Sequence, residues 1–94
     1  MSQFHIGLTP FNGVLRDCRD NGVGYDFEIE SHKNRTLVEI KGSAKELAGI
    51  SFTDKEWKVA KETQDKYFLG LVVDVPTVPK ISFLQNPANS FAPI

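Results

Sequence analysis

The sequence predicts an α/β domain: a mixed sheet of four to five strands with flanking helices, in the order α-β-β-β-α-β(-β). Three observations lead there. Two neighbouring segments alternate with period two, a capped amphipathic segment follows them, and a nearly continuous apolar run comes next. With 94 residues, 40% of them hydrophobic and 24% charged, the chain can build one domain, residues 1–94, and not two.

The elements are expected in this order. Thr9-Pro10 reads as a helix opening, with a capping hydroxyl and a proline where the missing N–H costs nothing. A first helix over about Pro10 to Asp20 follows from Phe11, Val14, Leu15 and Cys18 at helical spacing, stopped by Asn21-Gly22. Tyr25 to Glu30 puts Tyr25, Phe27 and Ile29 on one face and Asp26, Glu28 and Glu30 on the other, a half-buried strand. Thr36 to Lys41 alternates likewise, with Val38 and Ile40 opposed to Leu37, Glu39 and Lys41, so the two make an antiparallel hairpin. Gly42 to Gly49 connects to a short third strand at Ile50 to Phe52. Thr53-x-x-Glu56 has capping-box spacing and opens a helix to about Asp65, with Trp57, Ala60 and Gln64 on its covered face. Tyr67 to Val75 is a central strand, Ile81 to Leu84 adds a last one after the Pro76 to Pro79 turn, and residues 86–94 form a loose tail.

Composition narrows the partners. Eleven Lys and Arg against twelve Asp and Glu leave a net charge of -1, which excludes the overall basic excess of an autonomous nucleic-acid binder. A polyanion would therefore have to meet a local patch. Cys18 is the single cysteine, so no internal disulfide forms, and a reducing, cytoplasmic setting is expected. The longest apolar stretch, Leu69 to Val75, is broken by Gly70 and Asp74, and Met1 to Pro10 lacks the basic start and apolar run of a signal peptide, so no membrane partner is expected.

The hairpin brings chemistry to one face. In a register where opposed positions sum to 65, Asp26 lies across from Glu39 and the loop is His32-Lys33; in one summing to 67, Asp26 faces Lys41. Either way Asp26, Glu39 and Lys41 share a face. Two ionised carboxylates at that spacing repel, and a divalent cation between them removes the cost. Mg2+ suits such a site, with Mn2+ as a substitute, because it takes one or two carboxylates, several waters and phosphate oxygens. A lysine beside it can steady a phosphorane-like transition state. The bland reading is a solvated hairpin face, since Glu-x-Lys is common by chance.

Larger blocks sharpen this. Gly24-Tyr25-Asp26-Phe27, then Val38-Glu39-Ile40-Lys41-Gly42, then Phe52 to Lys61 with its Thr53 cap and Glu56-Trp57-x-x-Ala60, then Lys66-Tyr67-Phe68-Leu69, resemble in order the NO VEIN C-terminal domain family over about residues 21–87. That resemblance implies a restriction-endonuclease-like core with an Asp…Glu-x-Lys nuclease site. It further implies Asp26, Glu39 and the carbonyl of Ile40 as metal ligands and Lys41 as the electrostatic catalyst. Members of that kind sit in restriction and phage-defence proteins beside helicase-like domains. The expected partner is accordingly DNA, with a helicase or specificity protein acting in trans or in a longer parent chain, and a homodimer stays open.

Other residues carry less. Lys45, Lys55, Lys58 and Lys61, with Lys41, offer a basic patch for nucleic acid, against a bland reading as a solvated face interleaved with Glu56, Glu62 and Asp65. Trp57 reads as core, Cys18 as a small buried hydrophobe, and His5 and His32 lack zinc spacing. Two functions are thus in play: a Mg2+-dependent nuclease, and a non-catalytic nucleic-acid-binding or protein-docking module.

Overall fold

Tyr25–Glu30 and Thr36–Lys41 alternate between apolar and polar residues, and they pair as that alternation requires. In the computed structural model, which describes residues 3–8, 11–32, 34–43, 51–73 and 80–90, they lie in strands β3 (Phe27–Ser31) and β4 (Asn34–Ser43). Their register runs from Phe27 opposite Val38 to Ser31 opposite Asn34, so paired positions sum to 65. His32 sits in the tight loop at φ 52°, a left-handed conformation that hairpin loops of this length demand.

Two further strands precede them. β1 (Gln3–Leu8) and β2 (Phe11–Asp17) are antiparallel, and β2 pairs with β3 from Val14 opposite Glu30 to Asp17 opposite Phe27. The expected helix over Pro10 to Asp20 is therefore a strand. Its helical spacing of Phe11, Val14, Leu15 and Cys18 hid a period-two pattern, Phe11-x-Gly13-x-Leu15, in which the middle member has no side chain to show it. Gly13 is needed there as glycine: its φ is 150°, and a Cβ would come within 2.3 Å of the Glu30 carbonyl oxygen. A helix would have carried that glycine in its interior at a cost of about 1 kcal/mol.

After β4 the chain crosses through helix α1 (Asp54–Thr63) and a 3-10 turn (Gln64–Lys66) into β5 (Tyr67–Val73), which runs parallel to β4. β6 (Lys80–Gln85) returns antiparallel to β5, and a short helix α2 (Pro87–Ser90) closes the described chain. The strands form one six-stranded sheet in the order β1-β2-β3-β4-β5-β6. This corrects the expected flanking-helix layout α-β-β-β-α-β(-β): a β-β-β-β-α-β-β meander with a single parallel crossover stands in its place. The short strand expected at Ile50 to Phe52 is absent over Ser51–Phe52, and Ile50 lies outside the described residues. Asn86–Ser90, read as the start of a loose tail, is docked. Asn86 donates its N–H to the Tyr67 carbonyl at 2.8 Å, and Pro87 is fully buried.

Two apolar clusters sit on opposite faces of β4. Phe11, Ile29 and Val38 pack with Leu15, Phe27, Ile40 and Phe68 on one face. The Phe11 ring meets those of Phe68 at 5.1 Å and Phe83 at 4.8 Å, edge to face, although β2 is three and four strands from β5 and β6 in the sheet. The sheet therefore curls over itself and covers this face with its own outer strands. Leu37, Ala60 and Tyr67 pack with Tyr25, Phe52, Val59 and Ala88 on the other face, beneath α1. β4 is thus buried on both sides, and alternate residues serve different layers.

The segment before β3 is pinned against α1. The buried Tyr67 hydroxyl donates to the Gly24 carbonyl at 2.9 Å. Gly24 has φ 92°, and a Cβ there would lie 2.9 Å from Val59 Cγ2 and 3.1 Å from the Lys55 carbonyl oxygen. Substituting Gly24→Ala is expected to lower stability by about 1–3 kcal/mol through strain and displacement of α1. Urea unfolding measures this, and a midpoint equal to that of the wild type would contradict the close packing.

Candidate functional site

Alternation sends Leu37, Glu39 and Lys41 of β4 toward α1, and the observed register sets Asp26, just ahead of β3, across from Glu39. Asp26 leaves the regular ladder. Its N–H donates to the Val38 carbonyl at 2.9 Å, while its own carbonyl accepts the Cys18 N–H at 2.7 Å. Its Oδ2 accepts the Ile40 N–H at 2.8 Å. A backbone amide of β4 thereby fixes the direction of the carboxylate.

Glu39 is 4% exposed, the one charged side chain among the buried residues described. A carboxylate taken out of water needs partners. Lys41 Nζ lies 3.3 Å from Glu39 Oε2 and 2.8 Å from Oε1 of Glu56 on α1. Glu56 is the third helical residue after the Thr53 cap, and the capping box forms as its spacing predicts. The Glu56 N–H donates to Thr53 Oγ1 at 3.1 Å, and Oε1 accepts the Thr53 N–H at 2.9 Å. The same carboxylate oxygen thus caps the helix and holds the lysine. The Phe52 ring centroid, 5.5 Å from Lys41 Nζ, adds an aromatic face.

These contacts set the charges. Burial pushes the Glu39 carboxyl up to about 8, aided by its hydrogen bond with Glu56 and by the negative charges of Asp26 and Glu56. Burial works against the charge on Lys41, yet the hydrogen bond with Glu56 and the Glu39 and Glu56 charges hold the ammonium above its ordinary value. Burial likewise raises Glu56, but the Lys41 and Thr53 contacts outweigh it and leave this carboxyl below the usual range. Glu39 is therefore biased toward its protonated form, while Lys41 and Glu56 form an ion pair.

A cleft of about 160 Å3 opens beside this cluster, with Arg19, Gly24, Asp26, Glu39, Lys55 and Glu56 among its lining residues. Sequence reasoning placed Asp26, Glu39 and Lys41 on one face, and the structure brings them together. Glu56 joins them, and its signal was present: a capping box that opens the helix of a parallel crossover puts the N3 carboxylate near the end of the preceding strand. The basic residues fare differently. Lys55 stands at the cleft but donates to the Gly22 carbonyl at 2.5 Å, Lys58 is exposed, and Lys61 lies near Gln64 and α2, away from the cluster. Lys45 lies outside the described residues, as does the side chain of His5. Arg19, which sequence reasoning did not select, reaches the cleft, but Asp17 holds its guanidinium at 2.6 and 2.9 Å. Cys18 is buried, and Trp57 is half-buried with its ring 5.4 Å from Phe52.

A divalent ion here would find hard oxygen donors only. Among the described residues no three His, Cys, Asp or Glu side chains form a ready cage. Two carboxylates and a main-chain carbonyl nevertheless match what Mg2+ accepts, since it retains several waters. The donor set of Asp26, Glu39 and the Ile40 carbonyl fits in that sense.

A curled mixed sheet with one crossover helix, carrying an acid and a lysine of β4 and an acid just ahead of β3 near the helix N-terminus, defines a small α/β module with a buried charged cluster. The chain belongs to the NO VEIN C-terminal domain family, whose model, described as protein NO VEIN, C-terminal, matches residues 7–84. The match begins earlier than the motif blocks suggested and takes in the end of β1 and all of β2. Comparison with curated proteins and with solved structures finds no significant match. Among the described residues no helix is long and apolar enough to cross a membrane.

The raised Glu39 carboxyl has a consequence for stability in metal-free buffer. Its folded value of about 8 lies above the ordinary 4.5, so between these values the folded state holds a proton that the unfolded state has released. Stability should fall as pH rises through that window and level off above it. Glu39→Gln should flatten the dependence and exceed the wild type in stability at pH 9. Urea titrations from pH 5 to 9 with chelator test this; a wild-type stability rising over that window would refute it.

Proposed function

We propose that this domain is a Mg2+-dependent nuclease module that hydrolyses DNA phosphodiester bonds, in a restriction or phage-defence setting. The observation that carries it is that Asp26 and Glu39 line one cleft and Lys41 reaches Glu39 at 3.3 Å, which gathers two acids and an ammonium group from β4 and the residue just ahead of β3. Family membership supports it through the Asp…Glu-x-Lys pattern at these positions. Asp26, Glu39 and the Ile40 carbonyl would hold the ion, which when bound supplies Lewis-acid activation of the phosphate and of a water.

The chain's own groups do the rest. The amide of Ile40 orients the Asp26 carboxylate, so this acid does not have to be organised when substrate arrives. Lys41 holds a full positive charge in a partly buried place, where it acts more strongly on charge developing at phosphorus than it would in water. Glu39, which lines the cleft, can sit near the Asp26 and Glu56 carboxylates with less mutual repulsion while it carries a proton.

The second reading, a non-catalytic module that binds nucleic acid or docks a protein, draws on one observation. The cationic groups around the cleft are spent locally, Arg19 on Asp17 and Lys55 on the Gly22 carbonyl. Such a surface contributes few phosphate contacts, and the salt dependence of DNA affinity would be shallow.

Supercoiled plasmid with Mg2+ or Mn2+ separates the two. The nuclease reading expects nicking that chelator stops and that Asp26→Ala or Lys41→Ala lowers by about 10²- to 10³-fold. Cleavage that survives in both variants, or no cleavage together with shallow salt-dependent binding, would remove it.

A further inference from the structure

We propose that Glu56 is the positioning residue of this site: its carboxylate fixes the Lys41 ammonium above Glu39 and caps α1 with the same oxygen, so site assembly and the first turn of α1 form together. Three observations point to it. Glu56 Oε1 is the nearer of the two carboxylate partners of Lys41, at 2.8 Å against 3.3 Å for Glu39. That oxygen also takes the Thr53 N–H at 2.9 Å, while Thr53 Oγ1 takes the Glu56 N–H. Glu56 is half-buried, and its side chain is 16% exposed, so water screens the pair only in part.

Among the described residues no other contact restrains Lys41 as firmly. Lysine carries its charge on a flexible four-carbon stem, and a point charge helps a transition state only when it is already in place. Glu39 is the looser of the two restraints, because its oxygen lies farther from Nζ and it comes from the same strand as the lysine. Glu56 belongs to a helix whose position is set independently, by Ala60 and Val59 in the cluster under α1 and by the close approach of Gly24. The lysine is thereby referenced to the helix and not to its own strand alone. The distinction matters for the neighbours too, since Lys55 on the same turn of α1 ties the loop at Gly22 that leads into Asp26.

The activity arm of the test rests on the hydrolytic reading above; a second arm does not. Three variants of the full chain are compared: Glu56→Ala, Glu56→Gln, and Thr53→Ala, which removes the hydroxyl half of the capping box while leaving the Glu56 carboxylate. The first readout is the 1H–15N resonance of the Lys41 ammonium group in chelator, whose hydrogen exchange is slow only while the group is held. The second is Mn2+-dependent plasmid nicking, with kcat separated from KM. Glu56→Ala should lose the slowly exchanging resonance and reduce kcat by about 10- to 100-fold with KM nearly unchanged. Glu56→Gln keeps an oxygen acceptor for both Lys41 and Thr53, and should restore the resonance and most of the rate. Thr53→Ala should lower Tm yet retain both. Equal losses in Thr53→Ala and Glu56→Ala, or a resonance that persists in Glu56→Ala, would overturn the proposal. Should the wild type fail to nick DNA, the hydrolytic reading falls, and the ammonium resonance alone decides the role of Glu56.

Discussion

The burial of Glu39 is the constraint on which the rest of the molecule depends. A glutamate at the centre of a strand covered on both faces would ordinarily be replaced by an aliphatic residue, because a carboxyl group out of water costs more than it returns unless partners meet it. The chain meets it from two directions: Lys41 comes from the same face of the same strand two residues on, and Glu56 comes down from the first turn of the crossover helix. Asp26, just ahead of the neighbouring strand and held by the Ile40 N–H, adds negative charge that favours the protonated carboxyl. Each of these needs another feature to stay in place, and those features account for much of the local architecture.

Strand β4 divides its labour by parity. Val38 and Ile40 join an apolar layer that the curled sheet closes with its own outer strands, through Phe11 against Phe68 and Phe83. Leu37 joins the layer under α1, and Glu39 and Lys41 extend the same row toward the helix N-terminus, where apolar packing gives way to charge. The parallel crossover makes this arrangement natural, since the chain leaves β4 at the end where Lys41 lies and enters α1 by its capped terminus. Exposed backbone N–H groups at that terminus favour a carboxylate, so Glu56 is well placed for the helix before any role toward Lys41 is considered. A structural cap and a functional contact therefore share one oxygen.

Much of this was legible in the residues. Alternation in Tyr25–Glu30 and Thr36–Lys41 specified the faces, and one of the two registers it permitted is the one observed. Thr53-x-x-Glu56 announced a capping box that forms. The first twenty residues were misread because Gly13 interrupts the alternation of β2 without a side chain, leaving Phe11, Leu15 and Cys18 to mimic a helical stripe; only the long-range pairing with β1 and β3 decides between the periods. Glu56 was not selected as a site residue since its capping role explained it fully at the level of sequence. The basic patch thinned for a related reason. Lysines at i, i+3 and i+6 share a side of a helix, but spacing says nothing of the carbonyl that Lys55 meets at Gly22, nor that Lys61 lies beside α2 and away from the cleft.

The proposed function requires the two acids to face one another beside the Lys41 ammonium in a pocket that accepts a hard divalent ion. A crystal of the full chain soaked in Mn2+ tests it most directly, because anomalous scattering locates manganese without reference to any assumed mechanism. The account expects a single strong peak between the Asp26 and Glu39 carboxylates and the Ile40 carbonyl, with Lys41 still held by Glu56. A map without a peak there, in which Asp26 and Glu39 point away from each other, would contradict it and leave a folded scaffold with no place for the proposed chemistry.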